Sequence, residues 1–87
     1  MNPIDEQLKV LEDRFEDGWP KCVAVNDSWI PKLIELDAKL SKVVPNYTVC
    51  QIKDKFGGLR FYLSYPYDLL EELQDIVSEY ERESYKW

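Results

Sequence analysis

The chain has 87 residues, of which 17 are Asp or Glu, 11 are Lys or Arg and none is His, for a formal net charge of −6 and a pI near 4.5. That length makes one domain with one core, and a chain of this size buries only about 60–65% of the surface its unfolded form exposes. The missing imidazole excludes Ser-His-Asp and Cys-His catalysis and His-based metal sites, the acidity disfavours phosphate backbones and anionic membranes, and three Trp, six Tyr and three Phe exclude disorder.

Asn2-Pro3 reads as an N-cap followed by Pro at the first helical position. Ile4, Leu8, Leu11 and Phe15 then recur at helical spacing among acids, which predicts an acidic amphipathic helix over 1–17, stopped at Gly18. Gly18-Trp19-Pro20 breaks the pattern, and Lys21 to Val25 has no assigned state. Asn26-Asp27-Ser28 offers caps for a second helix over 28–43, whose apolar stripe is Trp29, Leu33, Leu36 and Leu40 and whose Pro31 falls in the first turn. Residues 47–65 read as a β-hairpin. Its second strand alternates cleanly, and the adjacent glycines of Lys55-Phe56-Gly57-Gly58 supply the positive φ that a tight turn needs. Asp68 and Glu71 resemble a capping box opening a second acidic helix over 68–84, with Leu69, Leu73, Ile76 and Tyr80 on one face and Leu70 and Val77 alongside. The expected fold is α+β, a single small domain in the order helix-helix-β-hairpin-helix (ααββα).

A two-stranded hairpin is not stable alone, so one face must pack on the helices. Alternation assigns Leu59, Phe61 and Leu63 with Cys50 and Ile52 to the core. It leaves Val49, Gln51, Lys53, Arg60, Tyr62 and Ser64 for solvent or a partner.

Charge is segregated. Residues 1–17 hold six acids and two bases, net −4, and residues 68–87 hold seven acids and two bases, net −5. Residues 47–67 hold Lys53, Lys55 and Arg60 against Asp54 alone, net +2. Two readings of the acids stay open: solvated outer faces, or a surface that docks on a basic groove, with Glu71, Glu72, Asp75 and Glu79 as its contacts. The hairpin cations either fold onto acids of a terminal helix or, with Gln51, Lys55 and Tyr62, face a partner.

No cofactor or metal pattern emerges. Cys22 and Cys50 lie too far apart for a zinc motif, and two cysteines are too few for a secreted scaffold. They read as buried thiols in a reducing cytosol, with one disulfide as the alternative. Phe56-Gly57-Gly58-Leu59 lacks the spacing of a phosphate loop. Carboxylate pairs such as Glu71 and Glu72 sit where nothing would shift their pKa. No apolar run approaches the ~20 residues of a membrane span, and Met1-Asn2-Pro3-Ile4-Asp5-Glu6 lacks the basic start of a signal peptide.

The run Gln51-Ile52-Lys53-Asp54-Lys55-Phe56-Gly57-Gly58-Leu59-Arg60-Phe61-Tyr62 resembles a group of short phage and prophage proteins that carry Gln, an aliphatic, Lys, Glu, Lys, Phe, Gly, Gly, Leu, Arg, Phe, Tyr in this order. Asp27-Ser28-Trp29-Ile30-Pro31 is similar to a second stretch of that group, with Ser28 in place of Gly, and Glu83-Ser84 echoes a pair near the end of its third helix. Many members continue into a Cys-x-x-Cys segment where this chain has Tyr85-Lys86-Trp87, so the resemblance implies no zinc here. It implies a phage or prophage origin and no reaction. The expectation is a non-enzymatic protein of the host bacterial cytoplasm that binds and inhibits a host protein with a basic surface, as counter-defence factors of the anti-CRISPR kind do. The alternatives are a toxin-neutralising immunity protein and a small nucleic-acid-binding regulator that uses the hairpin face. Exposed aromatics would also suit a homodimer.

Overall fold

The computed structural model describes residues 3–87, so the expected Asn2 cap lies outside the described residues. The elements are α1 (Pro3–Glu12), β1 (Val23–Ala24), α2 (Ile30–Val43), β2 (Val49–Lys55), β3 (Gly58–Leu63) and α3 (Glu71–Glu83). Short 3-10 turns at Asp27–Trp29 and Tyr67–Leu69 lead into α2 and α3, and a third at Ser84–Lys86 follows α3. The fold is α+β: three α-helices packed with a three-stranded sheet of order β1-β2-β3.

α2 forms where its sequence points. Asn26 accepts a hydrogen bond from the Ser28 N–H at 2.9 Å, Pro31 falls in the first helical turn, and Ile30, Leu33, Leu36 and Leu40 are buried. α1 is shorter than expected. It ends at Glu12, and Phe15 forms a parallel bridge to Val49, with the Glu16 N–H donating to the Val49 carbonyl at 2.9 Å. Phe15 therefore reaches the core by joining the sheet, not by continuing the helix. The unassigned stretch supplies β1, which pairs parallel to β2 with Val23 opposite Ile52 and Ala24 opposite Lys53.

The third helix also starts later than its pattern suggests. Asp68 makes no capping box, α3 has no side-chain cap, and Leu69 and Leu70 are exposed; Leu73, Val77 and Tyr80 carry the buried face, with Ile76 half-buried. A hydrogen bond from Gln74 Nε2 to the Asp68 carbonyl, 2.9 Å, holds the entry turn instead. The core joins these residues to Leu11, Phe15, Tyr47, Val49, Ile52, Leu59, Phe61 and Leu63. Trp87 closes it edge-on against Trp29, with centroids 5.3 Å apart.

The two hairpin glycines do different jobs. The turn places Phe56 (φ 55) and Gly57 (φ 82) at positive φ, as a two-residue hairpin loop of the I′ type requires, and the Gly57 N–H donates to Asp54 Oδ1 at 3.0 Å. Gly58 is not at positive φ, which corrects the expectation of an adjacent glycine pair in the turn. Its lack of a side chain makes room for the Tyr85 ring: a Cβ there would clash with Tyr85 Cζ. Tyr85 is 58% exposed and its ring can swing away. Gly58→Ala should therefore lower stability by only about 1 kcal/mol while increasing Tyr85 mobility, read by urea titration and the Tyr85 ring NMR signals. A loss of the whole sheet signal would show that Tyr85 is fixed.

Candidate functional site

The sheet has a helix-packed face and an open one. On the open face the register sets Lys53 directly opposite Arg60, Gln51 opposite Tyr62, and Lys55 opposite Gly58. Four of the expected contact residues, Gln51, Lys53, Arg60 and Tyr62, thus form two cross-strand pairs, and Lys55 stands at the hairpin end. Among the described residues, ion pairs join only Arg14 to Asp37 and Lys32 to Glu35. The hairpin cations do not fold onto acids of a terminal helix. Like charges directly opposite one another disfavour a strand pair, so Lys53 and Arg60 sit together at some cost to the sheet.

Two residues expected on this face are elsewhere. Val49 is fully buried and Ser64 is 3% exposed. For Val49 the cause is a bulge: Val49 pairs with Leu63 and Gln51 with Tyr62, so Cys50 is an extra residue that reverses the alternation before it, whereas Ser64 lies past the end of β3 and is turned onto Thr48. Ser64 bonds Thr48 Oγ1 through its hydroxyl, and its N–H donates to the Thr48 carbonyl at 2.9 Å. Cys50 is half-buried rather than a core residue, and Cys22 is exposed, which corrects the expectation of two buried thiols; both are unpaired. Burial pushes the Cys50 thiol pKa up, with Glu16 and Asp68 adding to the rise.

Phe56, read from the sequence as a turn residue, is 91% exposed at the hairpin tip. Nothing in the core holds it; the Lys55 ammonium lies 5.9 Å from its ring centre. A groove of about 240 Å³ runs along the other end of the open face, lined by Phe15, Trp19, Cys22, Cys50, Gln51 and Lys53 among others.

Glu71, Glu72, Asp75 and Glu79 are all exposed on α3, apart from the hairpin cations and without an ion pair among the described residues. The acids that matter to the fold are others. Glu81 Oε2 accepts from the Phe61 N–H at 2.9 Å, and buried Ser84 Oγ accepts from the Leu59 N–H at 2.7 Å while donating to the Glu81 carbonyl. Asp37, 8% exposed, accepts from Tyr47 Oη at 2.5 Å and from Arg14 Nε at 2.8 Å, and Arg14 lies over the Tyr47 ring. Burial, then the bond to Asp37, holds the Tyr47 phenol protonated well above its usual range. The members of this knot satisfy one another, so it is structural.

No group of three or more His, Cys, Asp or Glu among the described residues could hold a metal ion, and no described helix is long and apolar enough to cross a membrane. Comparison of the chain with protein-family models, with curated proteins and with solved structures finds no significant match.

Proposed function

We propose that this chain is a binding protein that acts by contact, inserting its hairpin tip into an apolar pocket of a host protein. The observation that supports this most is Phe56. A left-handed turn position favours Gly, Asn or Asp, and a bulky side chain there raises the energy of the turn. An aromatic ring that is nine-tenths exposed recovers none of that cost through packing. Strained positions of this kind cluster at functional sites, and exposed aromatic anchors ringed by charge are the pattern of interface hot spots. Lys55, Lys53 and Arg60 provide the charged surround, suited to carboxylates at the rim of the partner's pocket. The exposed acids Glu71, Glu72, Asp75 and Glu79 would meet a basic part of the same partner. The phage resemblance makes a bacterial host protein, held inactive in the cytoplasm, the partner class.

A substitution separates this role from a structural one. Phe56→Asn suits the turn better and should raise stability by about 0.5–1 kcal/mol. Retention of a stoichiometric partner from host lysate should fall by ~10-fold or more, and Arg60→Glu should weaken retention further at low salt. Stability reduced by Phe56→Asn, with partner retention unchanged, would reject the proposal.

A second reading rests on Tyr62, 41% exposed and beside Lys53 and Arg60, which resembles a stacking platform for single-stranded nucleic acid. Gel-shift titration with single-stranded DNA and RNA tests it: migration unchanged at high protein concentration ends it.

A further inference from the structure

Cys22 and Cys50 are remote in sequence but line one groove on the open side of the sheet. Two features of the strands bring them together. The parallel register pairs Val23 with Ile52 and Ala24 with Lys53, so Cys22, just before Val23, comes near Gln51 and Cys50, just before Ile52. The bulge then turns Cys50 out of the core: Val49 and Ile52 are fully buried, while Cys50 and Gln51 between them are not. Cys22 and Ala24, the exposed partner of Lys53, line the same groove. Strands ~4.8 Å apart with a one-residue offset of ~3.3 Å put the two Cα atoms roughly 6 Å apart, inside the range that a disulfide spans.

We propose that Cys22 and Cys50 form a dithiol site that a hydroperoxide converts to an intrachain disulfide. The exposed Cys22 reacts first. Its thiolate attacks the terminal peroxide oxygen, the O–O bond breaks, and Cys22 becomes a sulfenic acid as hydroxide leaves and takes a proton. The Cys50 thiolate then attacks Cys22 Sγ, the S–O bond breaks, and the oxygen departs as water with the released proton. Two thiols and one hydrogen peroxide give one disulfide and two waters. The new bond ties the residue before β1 to β2 across the groove. The polar neighbours of the pair are Glu16, Gln51, Lys53 and Asp68.

Brief treatment of the folded protein with hydrogen peroxide, followed by quenching, unfolding and maleimide labelling, tests this. The expected result is joint loss of both labels, an intact mass lower by two hydrogens, a joined peptide containing Cys22 and Cys50, and full recovery with dithiothreitol. Cys50→Ser should divert Cys22 to a sulfenic acid trapped by dimedone. Cys22 gaining oxygen while Cys50 still takes a label, two chains linked together, or both thiols still labelled after treatment would each overturn the proposal.

Discussion

Val49→Glu is expected to leave the chain unfolded under conditions where Gln51→Glu folds normally. The two positions are two apart on one strand, and plain alternation would give them the same environment. The bulge at Cys50 separates them: Val49 is fully buried beside the Phe15 bridge, and Gln51 is exposed. An unpaired carboxylate in that site would cost several kcal/mol, even after its pKa rises to neutralise it. A domain of this size has a total stability of roughly 4–13 kcal/mol, so the substitution consumes most or all of it. Far-UV circular dichroism and urea titration of both variants decide the matter. Cooperative unfolding of Val49→Glu at the wild-type midpoint would mean that β2 is in another register.

Asp37→Ala should be the most damaging polar substitution, at about 3 kcal/mol. It removes the one carboxylate that serves both Tyr47 Oη and Arg14 Nε, and leaves a buried phenol and a half-buried guanidinium without it. Arg14 keeps its bond to the Pro45 carbonyl, so the loss is partial on that side. Tyr47→Phe, which deletes a donor and leaves Asp37 bonded to Arg14, should lose about 1 kcal/mol. Equal losses for the two variants in urea titration would show that Asp37 gains nothing from Arg14. The same knot sets an alkaline limit. The Tyr47 phenol ionises above its ordinary value of 10.0 when folded, because of burial and the Asp37 carboxylate. Its contribution to stability is whole below pH 10 and declines as pH rises beyond that, because the unfolded chain then releases a proton that the folded one keeps. Tyr47→Phe should flatten that decline.

Local pattern made much of the fold readable. Periodicity located α2 and the buried part of α3, and the turn residues located the hairpin within two residues of its ends. What it missed depended on contacts between distant parts of the chain. Nothing within Lys21 to Val25 signals a strand, because β1 exists only through its register with Ile52 and Lys53. Phe15 continues a helical spacing, yet it pairs with Val49 outside the helix. The bulge is silent in the sequence, and without it Val49 falls on the wrong face; Ser64 is buried by its bonds to Thr48 past the end of β3. The candidate site was half legible. Alternation brought Gln51, Lys53, Arg60 and Tyr62 together, but a turn motif rich in glycine hid the exposure of Phe56, and the meeting of Cys22 and Cys50 required both the register and the bulge.

The bonds that Ser84 and Glu81 make to the Leu59 and Phe61 N–H groups have a consequence for how copies of this chain meet. Sheets recruit foreign β-segments through unsatisfied main-chain donors along an outer strand, the route to domain swapping and fibrils. Here the third helix occupies those donors on one flank, and a two-residue strand with the Phe15 bridge shortens the other. Templated growth by backbone pairing is therefore blocked on the β3 flank and has only a short template on the other. Ser84→Ala would reopen the β3 flank, and its first symptom should be fibril formation at high concentration, detected by thioflavin fluorescence, before any large loss of stability.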